Sequence, residues 1–390
     1  MSSLTPLERL TILLIVLLTA LAGVANYGAW AAVPRFALAT LALAGLAWVV
    51  SFATEQLGER FGPAVTGMMQ STLGNLPELF VVIFALQKGE LVVAQTAIIG
   101  SILANALLVL GLVIVVGARR SADGFMRFHT RLPRDTATLL QVAVFIIVLL
   151  GLSISAQDRA SHHVDTISIV GAVCLLIVYL AWIGPYLKAD KPPEGGSHAE
   201  GGPPVAGGAE GARGAEGAQG AGEIRAGGGE AADRRPTPRL SLAFTLTLLG
   251  LAGVAAAFVS DWFINGLSPA ISQLHLSQAF AGLVIVAIAG NAVENTTGLV
   301  LAWKGRSDLA ISVVKNSVAQ IAAFLYPLLV LVSFTLSTTL TFALAPVYIG
   351  ALVLTTLALD QITGDGEAAE FEGWALVALY VVLATFSLYE

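Results

Sequence analysis

The chain has 390 residues, of which 56% are hydrophobic and only 12% are charged. A typical globular chain is about 25% charged, so this chain has too little polar surface to cover a soluble fold. The 20 basic and 26 acidic residues leave no basic excess, which excludes a nucleic-acid binder, and a single cysteine, Cys174, excludes a disulfide-stapled secreted domain. The composition therefore predicts a protein embedded in a lipid bilayer.

Eleven apolar runs are long enough to cross a bilayer, which takes about 20 residues per helix. They lie at 10–32, 36–57, 62–87, 90–117, 137–156, 164–187, 240–264, 277–303, 308–333, 339–359 and 371–389. The first run stays apolar to Val33 and only Arg9 precedes it among basic residues, so we predict a retained helix rather than a cleaved signal peptide. The runs predict an all-α polytopic membrane protein with about eleven transmembrane helices.

The composition changes sharply between the sixth and seventh runs. Residues 188–239 are rich in Gly, Pro, Ala and Glu and cannot bury a core, which predicts a disordered cytoplasmic linker. We therefore divide the chain into an N-terminal transmembrane helix at 1–34, a five-helix repeat at 35–187, the linker at 188–239 and a second five-helix repeat at 240–390.

The distribution of Lys and Arg predicts the orientation of these helices. With eleven spans, sixteen basic residues fall on the side of the N-terminus, three fall on the opposite side, and Lys315 falls inside a span. Basic residues are in excess on cytoplasmic loops. We expect the N-terminus and the linker in the cytoplasm and the C-terminus outside, in a bacterial plasma membrane because no organelle-targeting signal is present.

Two segments of the chain match without gaps at an offset of 216 residues. One begins GNLPELF at Gly74 and the other begins GNAVENT at Gly290, and both continue into a Lys-Gly pair, at Lys88 and Lys304. Because the copies start in the third and eighth spans, they enter the membrane from opposite faces. Inverted repeats of this kind are typical of secondary transporters, which bind their substrate at the midplane where the repeats meet.

Each copy places an asparagine and a glutamate three residues apart, on one face of a helix. These are Asn75 with Glu78 and Asn291 with Glu294. An acid in the bilayer centre costs about 2.5–3.5 kcal/mol on insertion scales and is a functional hypothesis by default. Carboxylate and amide oxygens suit Ca²⁺, so we predict a metal site formed by both glutamates.

Helix-breaking residues flank these positions. Gly74 and Gly290 loosen the backbone, and Pro77 lacks an N–H and so releases the carbonyl of Leu73. Freed carbonyls lining a cavity are frequent cation ligands in broken membrane helices. A kink that serves helix packing is the alternative interpretation of each break.

Further polar residues lie in the spans around the two glutamates. Those that we expect to support the site, with ordinary helix packing as the alternative, are Gln95, Ser101, Asn105, Asn316, Ser317 and Gln320. Glu55 and Asp261 precede the two copies and are candidates for proton carriage or for lining access paths. Lys315 either reaches toward the cytoplasm along its stem or acts as a tethered cation near Glu294 that modifies coupling.

The charge of the two glutamates suggests a mechanism. Two ionised carboxylates carry a charge of −2 and cannot remain uncompensated in a low dielectric. One Ca²⁺ or two protons would neutralise them, and the two states exclude each other. This mutual exclusion predicts an antiporter of Ca²⁺ and H⁺ that needs no cofactor.

At these residues the sequence resembles the calcium/proton exchanger branch of the calcium/cation antiporter superfamily. The similarity rests on GNLPEL…VVAQTAIIGSILAN, on GNAVEN…DLAISVVKNSVAQIA, and on SFATEQL and FVSDWF before them. The resemblance implies that Glu78 and Glu294 bind the metal with Asn75, Asn291 and nearby backbone carbonyls. It also implies supporting roles for Ser101, Asn105, Ser317 and Gln320, and alternating access by sliding of the first helix of each half.

Departures from the family pattern keep other functions open. Pro77, Asn295 and Asn316 replace the residues usual at their positions, and Lys315 sits in a span. The main alternative is a Na⁺-coupled exchanger or an antiporter of another cation such as Mn²⁺, K⁺ or Na⁺. A membrane sensor or scaffold with a degenerate cation site is a second alternative. An enzyme is not expected, because the five histidines lie outside the spans or at their ends.

Overall fold

The computed structural model describes residues 4–58, 60, 73–129, 131–189 and 239–390. The helices are α1 (Pro6–Tyr27), α2 (Ala32–Gly58), α3 (Leu76–Gln87), α4 (Leu91–Arg120), α5 (Arg131–Ala156), α6 (Val164–Ala189), α7 (Leu242–Leu274), α8 (Gln278–Gly290), α9 (Ala292–Trp303), α10 (Ser307–Ser333), α11 (Pro346–Thr363) and α12 (Glu370–Leu388). Two short strands, β1 (Phe125–Arg127) and β2 (Glu367–Ala369), pair antiparallel between the end of α4 and the start of α12.

The chain is an all-α polytopic membrane protein. Within the described residues, nine helices are long and apolar enough to cross a membrane, and α8 with α9 forms a tenth, bent span. The short apolar helix α3 belongs to the run at 62–87, of which residues 61–72 lie outside the described part of the chain. Each of the eleven predicted runs contains a helix in its described part. The linker was predicted at 188–239, and of these residues 190–238 lie outside the described part of the chain.

The boundaries of the predicted runs differ from those of the helices by several residues, and most of all in two of them. The run at 339–359 begins as helix only at Pro346, because the residue before a proline avoids the α conformation and Ala345 is extended, with φ −60° and ψ 143°. The preceding residues 334–345 are largely irregular and are held by side chains: Ser333 Oγ accepts a hydrogen bond from the backbone N–H of Leu340 at 2.8 Å. The run at 240–264 continues as α7 to Leu274, through Pro269.

The offset of 216 residues holds in the backbone as well as in the sequence. α3 and α9 begin and end at equivalent positions, and so do the ends of α2 and α7. Both turns after α3 and α9 place a glycine at positive φ, Gly89 at 78° and Gly305 at 73°. The next helices, α4 and α10, each contain a π-helical turn, Ala104–Val109 and Ile321–Leu325. The sequence repeat is therefore a structural repeat.

The helix packing follows the same pairing of halves. α2 packs along α7, α3 packs on α7 as α9 packs on α2, and α4 packs on α12 as α10 packs on α6. One continuous core runs through both halves, and leucines of α1 such as Leu10, Leu14 and Leu17 remain exposed on the apolar perimeter. The two halves therefore meet around α3, α4, α9 and α10.

Candidate functional site

Both asparagines of the repeat lie at a break in a helix. Asn75 and Asn291 have non-helical backbone angles, with φ −82° and ψ 6° for the first and φ −95° and ψ 12° for the second. At the second break, the axes of α8 and of the segment Asn295–Trp303 differ by 56°. Each break starts a new helix one residue later, and this helix carries the glutamate of the motif in its first turn.

Pro77 lies in the first turn of α3 and therefore does not make this break by itself. A helix leaves its first N–H groups without intrahelical partners, so a proline there loses nothing. The second copy has Val293 at the equivalent position and breaks at the same place. The break thus depends on what the two copies share, the Gly-Asn pair.

Glu78 is 4% exposed, and the second half of the molecule contacts its carboxylate directly. Its Oε1 accepts a hydrogen bond from Ser101 Oγ on α4 at 2.5 Å and one from Asn291 Nδ2 at 2.5 Å. Asn291 Nδ2 also approaches Ser101 Oγ at 3.0 Å. The first copy of the motif is therefore joined to the asparagine of the second copy.

Asn105, in the π-helical turn of α4, extends this network across the interface. Its Nδ2 donates to Asn291 Oδ1 and to Ser317 Oγ of α10, both at 3.0 Å. The exposed fraction is 1% for Asn105, 0% for Asn291 and 2% for Ser317. π-Helical turns are frequent at functional sites, and this one places an amide between the two halves. The structure thus assembles five predicted residues into one buried network: Glu78, Ser101, Asn105, Asn291 and Ser317.

Several buried oxygens at these positions accept no hydrogen bond within the described part of the chain. They are Glu78 Oε2, Asn105 Oδ1, Asn295 Oδ1, Asn316 Oδ1 and Gln320 Oε1. A buried polar oxygen without a donor is costly, and native proteins satisfy it with water, a proton or an ion. Carboxylate and amide oxygens are hard donors that match cations such as Ca²⁺.

Gly290 makes room for the Glu78 side chain. A Cβ at this position would lie 2.7 Å from Glu78 Cγ and 2.9 Å from Glu78 Oε1. Such distances are below van der Waals contact, so any larger residue would displace the carboxylate. The glycine therefore has a packing role in addition to loosening the backbone.

The second glutamate can be placed only by its backbone. Glu294 lies in the first turn of α9, at the position equivalent to Glu78 in α3, and its side chain lies outside the described part of the chain. Asn75, the residue of the first copy that is equivalent to Asn291, is 4% exposed. The pairing of the two carboxylates remains a prediction.

Three predicted residues lie away from the network. Gln95 Nε2 donates to the carbonyl of Ala343 at 2.9 Å and so holds the irregular segment 334–345. Asp261 forms an ion pair of 2.5 Å with Lys88. Glu55 is exposed on α2. None of these three contacts Glu78 among the described contacts.

Lys315 is 3% exposed, so its amine is not in water. Nζ donates to Thr363 Oγ1 at the end of α11 at 2.5 Å, and the charge of Asp360, one turn earlier, acts on it. Thr136 and Leu140 of α5 and Ala106 of α4 line the same small cavity. The side chain therefore points along α10 toward the end of α11 and remains inside the protein.

The prediction from sequence missed two polar residues that hold the halves together. Asn265 stands four residues after Asp261 on one face of α7, and its Oδ1 accepts from Lys88 Nζ at 2.6 Å. Glu90, just after the Lys-Gly pair, accepts hydrogen bonds from Ser268 and Gln278. The i, i+4 spacing and the acid in an apolar stretch were the available signals.

Comparison with known proteins agrees with this architecture. The family model described as sodium/calcium exchanger protein matches residues 31–184 and 244–389. The chain is 30% identical to a vacuolar calcium ion transporter of Schizosaccharomyces pombe over 371 residues, which cover 93% of this chain and 81% of the relative. It is 28% identical to a Ca²⁺/H⁺ antiporter of Aphanothece halophytica over 361 residues, covering 91% and 90% of the two chains. The native YfkE structure superposes with a TM-score of 0.74 at 24% identity, over 97% of this chain and 100% of the other, which shows the same fold.

Proposed function

Because the chain belongs to the sodium/calcium exchanger family, in its calcium/proton exchanger branch, we propose that it exchanges Ca²⁺ for H⁺ across the membrane. The relatives named as Ca²⁺/H⁺ antiporter and vacuolar calcium ion transporter support this activity. The observation that carries the proposal is Glu78, a buried carboxylate at the junction of the halves. Its Oε1 is held by Ser101 and Asn291, whereas its Oε2 accepts no hydrogen bond from any described residue.

The two protonation states of the glutamates supply the coupling. A buried carboxylate must be paired with a cation or protonated, because an isolated charge in a low dielectric is strongly unfavourable. Glu78 and Glu294 together bind either one Ca²⁺ or two protons, with Asn75 and Asn291 as amide ligands and no resident cofactor. A cation enters as the protons leave, and the site never binds both.

The donor set favours a hard cation. Asn105 and Ser317 belong to the hydrogen-bonded network that reaches Glu78 through Asn291, and Gln320 Oε1 is buried without a donor in the described part of the chain. Ca²⁺ takes six to eight such oxygens at flexible distances. There are three competing functions. The transported ion could be Mn²⁺, K⁺ or Na⁺, the coupling ion could be Na⁺ in place of H⁺, or the protein could be a sensor with a degenerate site. Each predicts a different flux.

Access alternates between the two faces of the membrane. α2 and α7, the first helices of the two halves, pack along each other and against α9 and α3, which carry the glutamates. Sliding of this pair would open the site to one face while closing it to the other. The protein is integral to a membrane, and we place it in a bacterial plasma membrane with the N-terminus and the linker in the cytoplasm.

Ion flux in proteoliposomes with an imposed pH gradient tests the proposal. We expect Ca²⁺ movement to follow the H⁺ gradient without Na⁺, and Glu78→Gln and Glu294→Gln each to abolish it. Gln95→Leu is the control, because it alters a polar residue outside the network and should retain transport. Uptake that requires Na⁺, or that survives both glutamate substitutions, contradicts the proposal.

A further inference from the structure

The turn that joins α3 to α4 is fastened to α7 by a compact polar cluster. Lys88 Nζ donates to Asp261 Oδ1 at 2.5 Å and to Asn265 Oδ1 at 2.6 Å. Asn265 Nδ2 donates to Asp261 Oδ2 at 3.0 Å and closes the triangle. The lysine is therefore held by two side chains that also hold each other.

A second arm of the cluster starts two residues later. Glu90 Oε1 accepts a hydrogen bond from Ser268 Oγ of α7 at 2.6 Å, and Oε2 accepts one from Gln278 Nε2 of α8 at 2.8 Å. Both carboxylate oxygens are thus used in bonds to the second half of the molecule. We refer to the following six residues as the turn cluster: Lys88, Glu90, Asp261, Asn265, Ser268 and Gln278.

The equivalent turn in the second half has no such cluster. Lys304 and Arg306 stand at the positions of Lys88 and Glu90, are exposed, and form no side-chain hydrogen bond or ion pair with the described residues. The offset of 216 places Gly45, Val49 and Phe52 of α2 opposite this turn, where α7 has Asp261, Asn265 and Ser268. The polar fastening therefore occurs at one end of the repeat.

We propose that the turn cluster is a latch that keeps α7 against the α3–α4 turn and thereby closes the path to Glu78 from the outer face. This inference rests on the proposed function, in which α2 and α7 slide against the helices that carry the glutamates. Contacts present in one conformation and broken in the other shift the equilibrium toward the first. Lys88 and Glu90 act as positioning residues, because they contact α7 and α8 and not the transported ion.

The latch gives the exchanger an asymmetric resting state. The bonds of the cluster form when the outer face is closed, whereas α2 has Gly45, Val49 and Phe52 at the equivalent positions and offers the Lys304 turn no polar side chain there. Closure of the outer face is therefore favoured over closure of the inner face, and the empty transporter rests with its site open to the cytoplasm. Weakening the cluster should raise the population that is open to the outside.

Distance measurement between spin labels tests this without any requirement for transport. Gln87 and Ser272 are exposed on the two sides of the latch, and Cys174→Ser removes the single native thiol. Labels at Gln87→Cys and Ser272→Cys should give one short distance in the parent. Adding Lys88→Gln with Glu90→Gln should raise a longer population by about twofold or more, the range of coupling between residues in contact.

Two matched variants decide the outcome. The exchange of charges in Lys88→Asp with Asp261→Lys should restore the short distance, whereas Lys304→Gln with Arg306→Gln should leave the distances unchanged. Unchanged distances in the Lys88/Glu90 variant, with normal Ca²⁺ flux, overturn the latch alone. A parent protein that moves no Ca²⁺ overturns the proposed function, and its distances still report whether the turn cluster holds α7.

Discussion

The helices α3 and α9 occupy equivalent places in the two halves, yet their turns differ in what they contact. At the centre the halves share one buried network, in which Asn291 of the second half bonds Glu78 of the first at 2.5 Å. At the ends, the Lys88 turn is fastened to α7 by an ion pair, whereas the Lys304 turn is exposed. The two halves are thus joined by a shared network at the centre, whereas their two turns differ in their polar contacts.

The largest effect should come from the centre. Gly290→Ala would place a methyl group 2.7 Å from Glu78 Cγ, so the carboxylate must leave its bonds to Ser101 and Asn291. We expect Ca²⁺ flux to fall by about tenfold or more, because a displacement of 1 Å at a reacting group has effects of this size. Initial rates in proteoliposomes measure it.

Gly250→Ala is the matched control for this substitution. A Cβ at Gly250 meets no atom within 4 Å, and alanine favours a helix over glycine by about 1 kcal/mol. We expect unchanged flux and unchanged or slightly higher thermal stability. Equal losses in the two variants would show that the effect is on the helices and not on Glu78.

An intermediate effect is expected at Lys315, which has no charged equivalent in the first half, where Ile99 stands at the same offset. Lys315→Met removes a buried positive charge two residues from Ser317 and nearly conserves volume. We expect the apparent affinity for Ca²⁺ to rise by about threefold to tenfold, because a buried positive charge close to the network opposes the binding of a cation there. Flux as a function of Ca²⁺ concentration at several pH values measures it.

Thr363→Val separates the charge of Lys315 from its hydrogen bond. It removes the acceptor that lies 2.5 Å from Nζ and keeps the amine. The variant should lose thermal stability, by about 0.5–1.5 kcal/mol for one lost hydrogen bond, with little change in Ca²⁺ affinity. If Lys315→Met changes neither the affinity for Ca²⁺ nor the pH dependence of flux, Lys315 has only a structural role.

The smallest effect is expected at the exposed turn. Lys304→Gln removes a charge that makes no described bond, and exposed charges contribute about 0–1 kcal/mol at most. We expect Ca²⁺ flux to change by less than about twofold in Lys304→Gln. In contrast, Lys88→Gln should shift the ratio of outward-open to inward-open molecules. If the two substitutions act alike in the distance measurement, the turns are equivalent and the asymmetry described above has no functional role.

Hydropathy and the repeat were sufficient to predict most of the fold. The eleven runs located the helices because the bilayer imposes a minimum apolar length, and the offset of 216 located α3 with α9 and α4 with α10. The start of α11 and the end of α7 were not predictable from hydropathy. Leu340, Phe342 and Leu344 are buried in irregular backbone. The helix α7 continues because its last two turns bury Leu267, Ala270 and Ile271 and carry Ser268 of the turn cluster.

The site was predictable to the extent that the repeat carries it. Glu78, Ser101, Asn105, Asn291 and Ser317 were identified from their positions in the two copies, and they form one network. The role of Gly290 as space for Glu78 depends on a contact between the halves that no local pattern contains. Gln95 was expected to support the site, and Asp261 to carry protons or line an access path. Helical position alone did not indicate that Gln95 bonds the carbonyl of Ala343 or that Asp261 pairs with Lys88.

The π-helical turns in α4 and α10 set a requirement on chain length. Such a turn holds one residue more than the α-helical turn it replaces, and in α4 that turn carries Asn105. Loss of one of the six residues Ala104–Val109 would leave an ordinary α-helical turn in its place, and the side chains of this turn would then point in other directions relative to Ser101. We therefore expect the number of residues in this turn to be more tightly constrained than their identity. A one-residue deletion there should impair the protein more than a conservative substitution.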